Sequence, residues 1–105
     1  MTGGTVEPTP SLVALDILQI GVPVVVTTSG GVPVVVVRTG PGAVGAFSGR
    51  CPHRGCTVEL LAGDLVCPCH NSRFVPTTGA RIRGAAPTSL PTVAVTVADG
   101  EVYLA

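Results

Sequence analysis

Residues 22 to 38 read Val-Pro-Val-Val-Val-Thr-Thr-Ser-Gly-Gly-Val-Pro-Val-Val-Val-Val-Arg. Two runs of β-branched residues, Val22 to Thr28 and Val32 to Arg38, enclose Thr28-Ser29-Gly30-Gly31. Branched side chains have few χ1 choices and pack well on a pleated surface, so both runs read as strands. Paired glycines supply the positive φ that a tight reversal needs. The stretch predicts an antiparallel hairpin.

The same grammar extends in both directions. Upstream, residues 1 to 10 are rich in Gly, Thr and Pro and read as a flexible lead-in, and Leu12 to Ile20 reads as a strand running into an irregular turn at Gly21. Downstream, Gly40-Pro41-Gly42 marks a turn before a strand from Ala43 to Ser48. Thr57 to Leu61 and Leu65-Val66 form a small hairpin around Ala62-Gly63-Asp64. Then come Phe74-Val75, a Pro76-Thr77-Thr78-Gly79 turn, a strand from Arg81 to Arg83, and an irregular loop over residues 84 to 91. Val93 to Val97 and Glu101 to Leu104 close the chain as a hairpin around Asp99-Gly100. Nowhere do apolar residues recur with helical spacing, and 14 glycines and 10 prolines punctuate the chain at strand-length intervals. The expectation is an all-β fold of two or three small antiparallel sheets, one domain over residues 1–105.

Composition narrows the function. With 46% hydrophobic residues and a formal net charge of zero, the chain can bury a core and carries no global field that favours nucleic acid. Aromatic content of 3% is too low for a base-stacking surface. All six basic residues are arginine. The apolar runs are too short and too interrupted for a membrane helix, so no membrane segment is expected in this chain, although an anchor or export signal could precede Met1.

All four cysteines and both histidines lie in two short loops, Cys51-Pro52-His53-Arg54-Gly55-Cys56 and Cys67-Pro68-Cys69-His70-Asn71-Ser72. The hairpin between them brings its outer ends together, so both loops can serve one site. Two structural disulfides would leave Cys-x-His and Cys-x-x-His without a role. A Cys₂His₂ zinc site has the ligands but not the usual spacing. A Cys/His nucleophile would need one such loop rather than two, and an oxyanion hole that nothing in the sequence marks. A [2Fe–2S] centre with two thiolates on one iron and two imidazoles on the other uses one Cys and one His from each loop.

The two loops, extended by Arg73 and Phe74, resemble the signature boxes of Rieske iron–sulfur proteins. The likeness continues through Thr78-Gly79, Arg83-Gly84-Ala85-Ala86-Pro87 and Leu90-Pro91. The resemblance implies a Rieske-type fold with a cluster-binding subdomain over about residues 49–76, and one [2Fe–2S] cluster per chain. It implies Cys51, His53, Cys67 and His70 as metal ligands, a Cys56–Cys69 disulfide tying the loops together, and Ser72 donating its hydroxyl to a bridging sulfide. The paired extra cysteines resemble the branch that holds the Rieske subunits of cytochrome bc₁ and b₆f complexes and some arsenite oxidase small subunits.

Three positions depart from that branch. Asn71 stands where the family has glycine, and Phe74 where bc-type proteins carry a tyrosine that donates to a cysteine sulfur. Arg54 is typical of the oxygenase-type box. The implied function is one-electron transfer without substrate chemistry of its own, as the head of a respiratory-type oxidoreductase complex. The alternative is a free ferredoxin supplying an oxygenase. The expected partner is a redox protein: a cytochrome, a quinol-oxidising complex or a molybdenum subunit. The disulfide favours an extracytoplasmic location, and its absence would favour the cytoplasm. Arg50, Arg54 and Arg73 flank the loops and read as solvated side chains before they read as a docking surface.

Overall fold

The computed structural model describes residues 10–51, 56–69, 71–84, 86 and 88–105. His53, Arg54, His70 and Pro87 therefore lie outside the described residues, as does nearly all of the expected lead-in. Ten strands follow in order: β1 (Val13–Ala14), β2 (Val24–Thr27), β3 (Pro33–Gly40), β4 (Ala43–Ser48), β5 (Glu59–Leu61), β6 (Asp64–Cys67), β7 (Ser72–Phe74), β8 (Arg81–Arg83), β9 (Val95–Ala98) and β10 (Glu101–Leu104). They form three antiparallel sheets, ordered β1-β10-β9, β2-β3-β4 and β5-β6-β7-β8. The expected hairpin from Val22 to Arg38 is β2-β3, with Val25 opposite Val35 and Val26 opposite Val34.

β3 explains the layering. Pro33 through Val37 are all buried, so over this run the strand has no solvent face. Val34 and Val36 pack with Leu18, Ala46 and Val102 on the side of the β1-β10-β9 sheet. Val35 and Val37 point the other way and join Phe47, Cys51, Leu65, Cys67 and Phe74 on the side of the β5–β8 sheet. Alternate residues of one valine run thus serve two cores, each side chain contributing about 1.5–3 kcal/mol by leaving water. The middle sheet is the slab on which the site is mounted.

Three of the boundaries that differ from the sequence expectation have a plain cause in the pairing. The strand expected over Leu12 to Ile20 stops at Ala14 and passes into a 3-10 turn, Leu15–Ile17. Its partner β10 begins at Glu101, opposite Ala14, so beyond a last bond from the Leu15 N–H to the Gly100 carbonyl no strand remains to pair with. Thr57 pairs with Arg50 rather than extending β5, which starts at Glu59. Val93 likewise bonds to the Ala46 carbonyl of β4, which delays β9 to Val95. In the first case the strand ends for want of a partner, and in the other two a tertiary partner overrode local propensity.

Candidate metal centre

The site is assembled from three segments that meet against Val35, Val37 and Phe47. The first leaves β4 through Gly49 and Arg50 into Cys51. Its return is fixed by the Arg50–Thr57 bridge and by the Cys51 N–H donating to the Cys56 carbonyl at 2.7 Å. These contacts close the base of the first loop with both of its cysteines held in place.

The second segment is the β5–β6–β7 meander. Ala62 (φ 51°) and Gly63 (φ 84°) both lie in the left-handed region, which is the turn that suits a two-residue hairpin. β6 carries Leu65, Val66 and Cys67 into the core. The chain then reverses, with the Asn71 N–H donating to the Cys67 carbonyl at 2.8 Å. Asn71 has φ 55°, a conformation that glycine adopts freely and asparagine tolerates better than most side chains. The departure at this position is therefore a conservative one in backbone terms.

Cys56 and Cys69 are joined, with S–S at 2.03 Å, so the two loops are tied as expected. Cys51 and Cys67 stand outside that disulfide. Both are buried within one core cluster with Phe74, Ala86 and Leu90. Two thiols buried in one apolar cluster are a suitable donor pair for a thiolate-bound metal. His53 and His70, the other half of the expected set, lie outside the described residues.

The third segment is residues 84 to 90, and the sequence reading left most of its role unseen. Ser72 is completely buried, in register opposite Cys67, and its Oγ accepts the Ala86 N–H at 3.0 Å. Gly84, at φ 108°, lies so close that a Cβ there would stand 2.4 Å from the Ser72 Cα and 2.6 Å from its Oγ. The sequence marked this segment by its likeness to the family from Arg83 to Pro87 and by a glycine directly after a predicted strand, but not by its contact with Ser72. Arg73 was also misread as a solvated flank. It is half-buried and donates to Asp64 at 3.2 Å, one β-hairpin away. Phe74 is fully buried opposite Leu65, and offers no hydroxyl where the related branch has one.

The described residues therefore fit an iron–sulfur centre on the observations they can test: two buried thiols, a disulfide clasp, and a buried hydroxyl clamped beside one of the thiols. Comparison with known proteins agrees. A family model for the Rieske [2Fe-2S] domain matches residues 12–94. A cytochrome b6-f complex iron-sulfur subunit from Parasynechococcus marenigrum is 36% identical over 78 residues, covering 70% of this chain and 43% of that protein. The chain thus spans under half the length of this relative. Among solved structures, the plasma membrane Rieske protein PetC3 from Synechocystis superposes with a TM-score of 0.73 at 32% identity, covering 92% of this chain and 99% of that one. The ferredoxin of carbazole 1,9a-dioxygenase from Nocardioides aromaticivorans gives 0.65 at 30% identity, covering 91% and 95%.

Proposed function

The chain belongs to the Rieske [2Fe–2S] domain family, and on that premise we propose that it carries single electrons as the water-facing head of a respiratory-type oxidoreductase complex. Cys51, beyond the end of β4, and Cys67, at the end of β6, would supply buried thiolates, and His53 and His70 would supply imidazoles. When bound, the [2Fe–2S] cluster takes up and returns one electron, at a potential raised by two neutral imidazoles in place of two thiolates. The protein's own part is to hold this set rigidly and dry. Burial of Cys51, Cys67 and Phe74 excludes water from the thiolate side. The Ala86 N–H fixes the Ser72 oxygen, so the Ser72 proton is directed away from that bond, where it can favour added negative charge.

The Cys56–Cys69 disulfide carries this reading over its competitor. Disulfides persist in oxidising compartments and rarely in cytosol, which supports an extracytoplasmic site of action. The cytochrome b6-f relative, named as a subunit of a complex, supports membership of one. No helix among the described residues is long and apolar enough to cross a membrane. A second reading, a free ferredoxin feeding an oxygenase, is favoured by the match along nearly the whole length of the carbazole dioxygenase ferredoxin and by Phe74.

The deciding experiment is the midpoint potential of the holo protein against pH. Rieske centres span about −150 to +300 mV. The proposal expects a value well above zero that falls as pH rises, because reduction then takes up a proton on a ligand imidazole. A value near the lower end, flat around neutrality, would favour the ferredoxin. Cys67→Ser should abolish the visible spectrum, and a reversible couple surviving in that variant would refute the ligand assignment.

A further inference from the structure

The zero net charge conceals a division. Five arginines (Arg50, Arg54, Arg73, Arg81 and Arg83) and two acids (Glu59 and Asp64) lie between positions 50 and 83, a local excess of three positive charges. Outside that span, four acids (Glu7, Asp16, Asp99 and Glu101) face Arg38 alone, an excess of three negative charges. Asp99 and Glu101 belong to the terminal hairpin of the β1-β10-β9 sheet, and the middle sheet stands between it and the site. The molecule extends 50 Å along its longest axis. Exposed charges are screened over about 8–10 Å at ordinary salt, so the two ends act independently on whatever approaches.

The arginines are also placed at the site. Each of its three segments carries one at its boundary: Arg50 precedes Cys51, Arg73 follows Ser72, and Arg83 precedes Gly84. Arg73 and Arg83 sit in direct cross-strand register, an arrangement that like charges disfavour. Asp64 neutralises Arg73. Arg50 and Arg83 are exposed, and among the described residues neither makes an ion pair or a side-chain hydrogen bond. β8 is the edge of its sheet, exposed along its length, with Ile82 between the arginines at 47% exposure. The guanidinium fork of each free arginine matches a carboxylate.

Resting on the electron-carrier reading above, we propose that the positively charged cluster end of the molecule, through Arg50 and Arg83, docks the acidic face of a redox partner protein. Net-neutral proteins gain association rate this way without a global field, because the local charge steers the partner toward the site.

The test uses reduced holo protein and two small oxidants of opposite charge, hexacyanoferrate(III) and tris(phenanthroline)cobalt(III). In each reaction one electron leaves the cluster and reduces Fe(III) to Fe(II) or Co(III) to Co(II), with no bond made or broken in the protein. From about 10 mM to about 500 mM salt, the second-order rate with hexacyanoferrate should fall on the order of tenfold, and that with the cobalt complex should not fall. Arg50→Gln/Arg83→Gln should remove most of the fall, whereas Asp16→Asn/Asp99→Asn should leave it intact. A short polyglutamate peptide should slow hexacyanoferrate reduction in the wild type and not in the arginine variant.

A salt-independent hexacyanoferrate rate, or a fall that survives in the arginine variant, overturns the proposal. So does self-association at low salt, which would give the surface to the acidic end of a second copy. So does binding to phosphatidylglycerol vesicles that polyglutamate fails to displace. Calorimetric binding of polyglutamate needs no redox couple. A chain with no reversible couple that still binds it through Arg50 and Arg83 would break the electron-carrier reading and leave the surface standing.

Discussion

β3 and β7 are both buried strands, and they are held in opposite ways. β3 is eight residues long, and its run from Pro33 to Val37 is covered on both faces by side chains that are nearly interchangeable. β7 is three residues long, in a sheet of short strands whose two edges, β5 and β8, are exposed throughout. Beside the packing of Leu65 and Phe74 on the middle sheet, β7's sheet depends on a small set of particular contacts: one disulfide, the Ala86–Ser72 bond, the Gly84 approach and the Arg73–Asp64 pair. Distributed apolar burial degrades gradually when one member is lost. A site held by few contacts fails when any one goes, and in exchange it can present donors that a continuous apolar core would bury out of reach.

The contrast is broken most severely at Gly84. Gly84→Ala would place its Cβ against the backbone of Ser72 at 2.4 Å, with φ at 108° where a side chain is strained. Backbone strain and overpacking together should cost about 4 kcal/mol. Because the clash falls on Ser72 Cα, no rotamer change relieves it, and Ser72 must move relative to Cys67. The expected result is a holo protein that loses its visible spectrum many-fold faster than wild type. A Gly84→Ala protein with wild-type cluster retention would show that the approach is slack.

Next in size is the disulfide. Cys56 and Cys69 are 13 residues apart, and removing such a closure costs about 3 kcal/mol where chain entropy dominates. Cys56→Ala/Cys69→Ala should destabilise the site sheet selectively. Hydrogen exchange should then quicken in β5–β7 while β3 stays protected. Equal loss of protection in both sheets would mean that they unfold as one unit and that the division drawn here is only geometric.

How much of this was legible in the sequence follows the same division. The middle sheet was plain because its signal repeats: any few of the valines from 24 to 37 would have marked the hairpin. The candidate donors were equally visible, because cysteine and histidine occur nowhere else in the chain. What could not be read was how the third segment closes on the site. A bond from the Ala86 N–H to Ser72 joins residues 14 apart in sequence through a backbone group, which has no residue signature. Gly84 was visible as a glycine, but the reason for it is a neighbour that folding brings from another strand. Arg73 looked like a surface residue because its partner Asp64 lies nine positions away across a turn.

The finest cut separates two adjacent, identical residues. Val35 and Val36 are both fully buried, yet Val35 belongs to the core shared with Cys51 and Cys67, and Val36 to the core shared with Leu18 and Val102. Truncation to alanine removes the same two methyl groups from either face. Each variant should lose about 2 kcal/mol and melt roughly 10 °C lower. Only the face differs. Val36→Ala should keep the wild-type midpoint and cluster lifetime below its melting transition, because its cavity opens toward the β1-β10-β9 sheet. Val35→Ala should shorten the cluster lifetime at the same distance below its own transition, because its cavity opens beneath the thiolates. Matching the two by melting temperature isolates position from stability. If both variants shed the cluster equally, global stability governs retention, and the strand does not insulate the two cores from each other.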